Sequence, residues 1–249
     1  MGVKSLSVAI EEPPPQSSDG RNVEKHVFSD YHTFFEPFFN KLVGHYSSRF
    51  QWFEDVIPEA DKIVNFGFGE RGAETFALMW ALDAIEVVGF DNKPTRVNQA
   101  DRKRKKAQDF VEVSVPGVRK FYSPQYAKEF EEWYENKVSV KIRESILPVF
   151  KLGDLTTGIE WKSNYFDVGY SRYVLDKIAE KNRLTAVSEM MRLVKSEGHL
   201  IIVAPEEAFP DRLKNLNIEL IRSVSRDKLG SIEDEKNPPV GRIYLKKSE

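Results

Sequence analysis

The sequence contains no cysteine among its 249 residues. That excludes disulfides, thiol nucleophiles, cysteine-ligated zinc and iron–sulfur clusters together. Histidine is scarce too: only His26, His32, His45 and His199, and no pair has HxxxH spacing. No metal site is expected on that basis. An excess of charge of one sign is also missing, since 37 Lys and Arg stand against 39 Asp and Glu, a formal net charge of −2. Bulk charge therefore holds no nucleic acid here, and a nucleic-acid partner is not expected. No apolar run approaches the ~20 residues that span a bilayer, and no signal-peptide core stands at the N-terminus. A cytoplasmic location without a membrane span follows as the expectation. What the chain has is 41% hydrophobic and 31% charged residues, the composition of a globular protein able to bury a real core.

Three segments differ in chemistry. Residues 1–25 carry Pro13-Pro14-Pro15 among polar neighbours, which form neither helix nor ladder, so a loosely docked arm is expected. From Phe28 to Phe53, ten of 26 residues are aromatic against 12% overall, and Phe34, Phe38, Leu42 and Tyr46 recur four apart. That spacing predicts amphipathic helix, and residues 26–58 are read as an aromatic helical cap. From residue 59 onward, short β-branched runs alternate with helical stretches. Strands are predicted at Ile63–Phe66, Glu86–Phe90, Val149–Leu152, Phe166–Tyr170, Leu200–Val203, Asn217–Val224 and Val240–Leu245, with a short extra strand at Val138–Ile142. Helices are predicted at Glu70–Ala84, Val97–Phe110, from Ser123-Pro124 onward and over Arg183–Val194. Such alternation implies an α/β fold with a mostly parallel sheet covered on both faces.

The first strand runs into Phe66-Gly67-Phe68-Gly69-Glu70-Arg71-Gly72. Gly67 permits a tight turn, and Gly69 lets backbone approach a ligand. The helix beyond turns its N-terminal N–H groups on that ligand. The second strand ends in Gly89-Phe90-Asp91, 22 residues past Gly69. An acid there can accept both hydroxyls of a ribose, so loop plus acid points to a cofactor containing a nucleoside. A literal GxGxxG also fits a dinucleotide fold.

Later segments decide between the two. Leu152-Gly153-Asp154-Leu155, Tyr165-Phe166-Asp167-Val168-Gly169-Tyr170-Ser171-Arg172-Tyr173-Val174-Leu175 and Met191–Val203 follow in order. With Val64–Gly69 and Gly89–Asp91 they resemble the ordered motifs of class I S-adenosylmethionine-dependent methyltransferases. The resemblance covers about residues 60–204. It implies a Rossmann-like seven-stranded sheet of order 3-2-1-4-5-7-6, the last strand antiparallel, over residues 59–249 with an insert at about 98–147. It also implies S-adenosylmethionine as cofactor and S-adenosylhomocysteine as product. Carried over by position, Asn65, Gly67, Phe68 and Gly69 would face the methionine part. Asp91 and Asn92 would face the ribose, and Asp154 and Leu155 the adenine. Tyr170, Ser171 and Arg172 would stand beside the reacting methyl group as catalytic candidates, Tyr170 also touching the cofactor. Two departures are visible. Asn65 replaces the family's usual acid and brings no charge, and Lys195-Ser196-Glu197-Gly198 replaces a Lys-Pro-Gly-Gly turn, Gly198 keeping the flexible position.

A narrower similarity links Gly72–Met79 and Tyr170–Leu175 to the chemotaxis-receptor glutamate methyltransferases, and adds Glu74 as a cofactor contact. Tyr173 departs from that pattern, so only architecture is inferred. The expected chemistry is in-line methyl transfer. A small-molecule acceptor is expected, a protein acceptor is the alternative, and Tyr31, His32 and Phe35 of the aromatic segment are the candidate acceptor contacts. A nicotinamide-dependent oxidoreductase and a non-catalytic methyltransferase-like subunit are the rival readings. Asn237-Pro238-Pro239 lies too far past the fourth strand to act as an amino-methyltransferase motif. The basic run Arg102–Lys106 is read as a solvated helix face.

Overall fold

The computed structural model describes residues 50–57, 59–69, 72–105, 124–211, 213, 216–225, 229 and 238–248. The expected arm and nearly all of the aromatic segment, with Tyr31, His32 and Phe35, lie outside the described residues.

The β-branched and aromatic runs form seven strands: β1 (Lys62–Phe66), β2 (Glu86–Asp91), β3 (Val149–Leu152), β4 (Phe166–Arg172), β5 (Val194–Pro205), β6 (Ile218–Val224) and β7 (Pro239–Lys246). They make one sheet in the order β3-β2-β1-β4-β5-β7-β6. The pairs from β3 to β5 are parallel, and β7 is antiparallel to both β5 and β6. A dinucleotide-binding sheet has order 3-2-1-4-5-6 with no such inserted strand. The topology therefore separates the two cofactor classes that the glycine loop left open.

The helices are α1 (Gln51–Glu54), α2 (Ala73–Ala81), α3 (Pro94–Lys105), α4 (Pro124–Trp133), α5 (Val140–Arg143) and α6 (Glu180–Leu193). Alternation along each strand divides the core in two. Ile63, Val87, Val168, Ile201 and Ile243 pack with Phe76 and Leu78 of α2 and with Phe50 and Phe53. Val64, Phe66, Val88, Leu200 and Ile202 pack on the other face with Ala186, Val187 and Met190 of α6. Each large apolar side chain buried this way contributes about 1.5–3 kcal/mol.

The extra strand expected over Val138–Ile142 is not formed. A π-helical turn, Tyr134–Ser139, continues α4 directly into α5. Apolar residues at 138, 140 and 142 fit a period of two, but tertiary anchoring decides. Lys141 is buried and donates to Asp83 O at 3.1 Å and Ala84 O at 3.0 Å, pinning the helix to the turn after α2. The turn before the main part of β5 also differs from expectation. The left-handed residue is Glu197, with φ of 62°, while a side chain on Gly198 would meet Asp167 O at 2.7 Å. Close approach, not flexibility, is what that glycine supplies. Among the described residues no helix is long and apolar enough to cross a membrane.

Candidate cofactor and acceptor site

The carboxyl ends of β1, β2, β3 and β4 converge on the glycine loop. Gly67 and Gly69 have φ of 70° and 75°, in the region that disfavours other residues. Gly67 N–H donates to Phe90 O at 2.7 Å, so the loop is tied to the end of β2. A Cβ on Gly67 would lie 2.3 Å from Val174 Cγ2, whereas one on Gly69 would meet nothing within 4 Å among the described residues. Among those residues the space above Gly69 is clear, as a ligand cradle requires. Phe68 is turned inward and its ring lies 4.8 Å from that of Phe150.

Asp91 ends β2, and only 2% of its side chain is exposed. Its Oδ1 accepts from Lys93 N–H at 2.9 Å and its Oδ2 from Arg96 at 3.3 Å. A carboxylate has about four acceptor positions, so hydrogen-bonding capacity remains on both oxygens. Asp91 O accepts from Gly153 N–H at 3.1 Å, which brings the ends of β2 and β3 together and sets Asp154 nearby. Asp154 is half-buried, with Leu155 buried behind it, and Asn92 is exposed.

Asn65 and Tyr170 are register partners on β1 and β4. Both are fully buried, and Asn65 Oδ1 has no hydrogen-bond partner among the described residues. Tyr170 Oη donates to Glu74 Oε1 at 3.3 Å, and Arg172 lies 3.4 Å from the same oxygen. The side chains of Glu74 and Arg172 are only 13% and 10% exposed, so this pair is shielded from bulk water. Asn65, Glu74, Tyr170 and Arg172 therefore form one cluster. Ser171 does not join it. It pairs in register with Phe66 and Ile202 of the opposite face, and its buried Oγ has no partner among the described residues. Tyr173 follows with φ of 53°, an unusual conformation for a bulky residue, and Arg172 stacks over its ring at 5.1 Å.

The aromatic segment enters the described structure at Phe50, whose ring is 6.1 Å from that of Tyr170, with Phe53 at 6.2 Å. This end of the segment is core. The basic run of α3 meets Asp101, which pairs with Arg104 and Lys105 at 2.9 Å each. Sequence reasoning missed Arg96, which binds Asp91, and Glu189 and Arg192, which brace the loop between β3 and β4. Glu189 and Arg192 stand three apart on a helix, a visible signal, but their partners on another loop left none.

Residues 117–202 match the family model described as a methyltransferase domain. No curated protein matches the chain. Among solved structures, a TehB-like SAM-dependent methyltransferase from Corynebacterium glutamicum is similar with a TM-score of 0.50 at 16% identity, covering 90% of this chain and 100% of that one. A SAM-dependent methyltransferase from Methanosarcina mazei gives 0.51 at 13% identity, covering 77% and 94%. The magnesium protoporphyrin IX methyltransferase of Synechocystis, solved with bound SAM, gives 0.50 at 14% identity, covering 92% and 86%. At these identities the likeness is one of fold.

Proposed function

We propose that this chain, which has the fold of the class I S-adenosylmethionine-dependent methyltransferases, is such an enzyme and transfers a methyl group in line to a small acceptor at the open end of its sheet. The reading is supported by the space left over Gly69 among the described residues, together with Asp91 at the end of β2 and the buried Asn65 Oδ1 near the end of β1, which has no partner among the described residues. Those residues fit the cofactor. A left-handed glycine leaves room for its backbone approach, a carboxylate suits its ribose hydroxyls, and a buried acceptor suits an ammonium.

When bound, the cofactor supplies a methyl group already activated by a sulfonium. The protein's part is to bind, align and exclude water. Asp91 would accept from the ribose hydroxyls, with Asn92 at the rim, and Asp154 would accept from the adenine amino group beside Leu155. Glu74 and Asn65 Oδ1 would take the ammonium of the methionine part. Arg172, shared between Glu74 and the ligand, would take its carboxylate. Tyr170 would be the residue of β4 nearest the reacting carbon, with Ser171 behind it. Held in this way, the methyl group would be presented in line to the acceptor's lone pair, and the acceptor's proton would leave to solvent. Tyr31, His32 and Phe35, outside the described residues, remain the acceptor contacts proposed from the sequence. The compartment proposed is the cytoplasm.

Calorimetric titration with S-adenosylmethionine, S-adenosylhomocysteine and NAD tests the reading. Micromolar binding of the first two and none of NAD is expected, with Asp91→Ala weakening binding by about 10–100-fold, the worth of a hydrogen bond to a charged group. Binding of NAD alone would overturn it.

A further inference from the structure

The loop from β3 to β4 is braced from a distance. Glu189, on α6, accepts from the Ile159 N–H at 2.6 Å. Arg192, one turn on, engages all five of its N–H donors. Nε donates to Glu189 Oε2 at 2.7 Å, and Nη2 donates to Glu189 Oε1 at 2.8 Å and Ile159 O at 2.9 Å. Nη1 donates to Trp161 O and Ser163 Oγ, both at 2.9 Å. Ile159 is thus held by both its N–H and its carbonyl. Its side chain lies against Gly153, where an added Cβ would be 3.2 Å from Ile159 Cγ1. Between these two residues sits Asp154. Its Oδ1 is occupied by Thr156 N–H at 2.8 Å and Thr156 Oγ1 at 2.7 Å, and its backbone bridges to Gly158. Asp154 Oδ2 accepts no hydrogen bond among the described residues.

We propose that Glu189 and Arg192 are positioning residues for base recognition: by fixing Ile159 they hold Asp154 Oδ2 toward the amino edge of the bound base. The inference rests on the cofactor reading above, with Asp154 as the adenine acceptor. A carboxylate oxygen so fixed accepts from an amino group and opposes a carbonyl at the same place, lone pair against lone pair. A base bearing a carbonyl there is rejected because the repulsion has no loop movement to relieve it. The guanidinium fork matters as geometry, since an ammonium at its place would keep the charge and lose the five-way grip.

The test titrates the full chain with S-adenosylhomocysteine and with S-inosylhomocysteine, which differs in that one group. The wild type is expected to favour the first by about 10–100-fold, and Asp154→Ala to bring the ratio near unity. Glu189→Gln and Arg192→Lys are expected to lose most of the preference while keeping the wild-type circular dichroism spectrum. Hydrogen exchange at the Ile159 amide is expected to rise in both, and either variant alone suffices. Retention of the full preference by a folded Glu189→Gln or Arg192→Lys, or by Asp154→Ala, overturns the inference. Failure of the wild type to bind S-adenosylhomocysteine would instead overturn the cofactor reading, and this inference with it.

Discussion

Asn65 donates from Nδ2 to Thr75 Oγ1 at 3.0 Å, tying the end of β1 to the first turn of α2 and leaving its own Oδ1 buried without a partner among the described residues. A buried acceptor left unmet costs about 1–3 kcal/mol, which a ligand's N–H recovers. Asn65→Asp adds a charge at a fully buried position close to Glu74. The variant is expected to melt below the wild type without ligand, and to gain more than the wild type on adding S-adenosylhomocysteine, whose ammonium meets the new charge. Thermal melts with and without ligand check this. An equal ligand-induced shift in both proteins counts against Asn65 facing the cofactor.

The two loop glycines are expected to respond differently to the same methyl group. Gly67→Ala meets Val174 Cγ2 at 2.3 Å in a left-handed backbone and should cost about 2–4 kcal/mol of stability. Gly69→Ala meets no neighbour among the described residues, so its expected stability cost is about 1 kcal/mol of backbone strain. Its methyl group enters the cradle, however, and cofactor affinity should fall more than stability does. Urea denaturation and calorimetry on both variants separate the effects.

Lys141 links the insert to the rest of the domain. Its Nζ donates to two backbone carbonyls and pairs with Asp83 Oδ1 at 2.9 Å. Lys141→Met keeps the stem and leaves both carbonyls unmet, for an expected loss of about 2 kcal/mol read as a lower urea midpoint. An unchanged midpoint would show that Lys141 is not what holds the insert, leaving its apolar contacts and the Lys137–Asp83 pair.

His199 lies half-buried on β5. Burial holds its imidazole below the usual 6.5, against a smaller opposing pull from Glu197. The folded value is thus below the unfolded one. The stability this contributes is full above pH 6.5 and is lost as pH falls from there through the folded value. For Asp83 and Glu189 burial pulls the carboxyl up, but hydrogen bonds and charge from Lys137 and Lys141, and from Arg192, outweigh it, so they act further down, below their ordinary 3.8 and 4.5. Chemical denaturation between those ranges is expected to show a slope that His199→Gln removes.

Much of this architecture is written locally. The run Leu200–Val203 is apolar throughout and Ile63–Phe66 is apolar but for Asn65, a pattern that suits strands buried on both sides. Gly67 and Asp91 are legible because strand, turn and acid stand at fixed distances along the chain. Val138–Ile142 misleads because Val138, Val140 and Ile142 alternate like a strand. What makes them helical is Lys141 reaching a turn 57 residues earlier. The Glu189–Ile159 bond is illegible for the same reason, since nothing near either residue names the other. The Glu74–Arg172 pair is in between. Both residues were marked by family motifs, but their meeting depends on the first turn of α2 coming up to the end of β4.

β7 follows β6 in the chain yet lies between β5 and β6. During synthesis the strands from β1 to β5 emerge in an order that lets each find a neighbour, and then the pattern stops. β6 appears with no strand to join, and the outer edge of β5 stays open until β7 arrives to close both. The sheet is therefore completed by a single late event that zips two antiparallel ladders at once. Until then the apolar run Leu200–Val203 is an uncovered edge, and this is the stage at which the nascent protein is most open to pairing with the wrong partner.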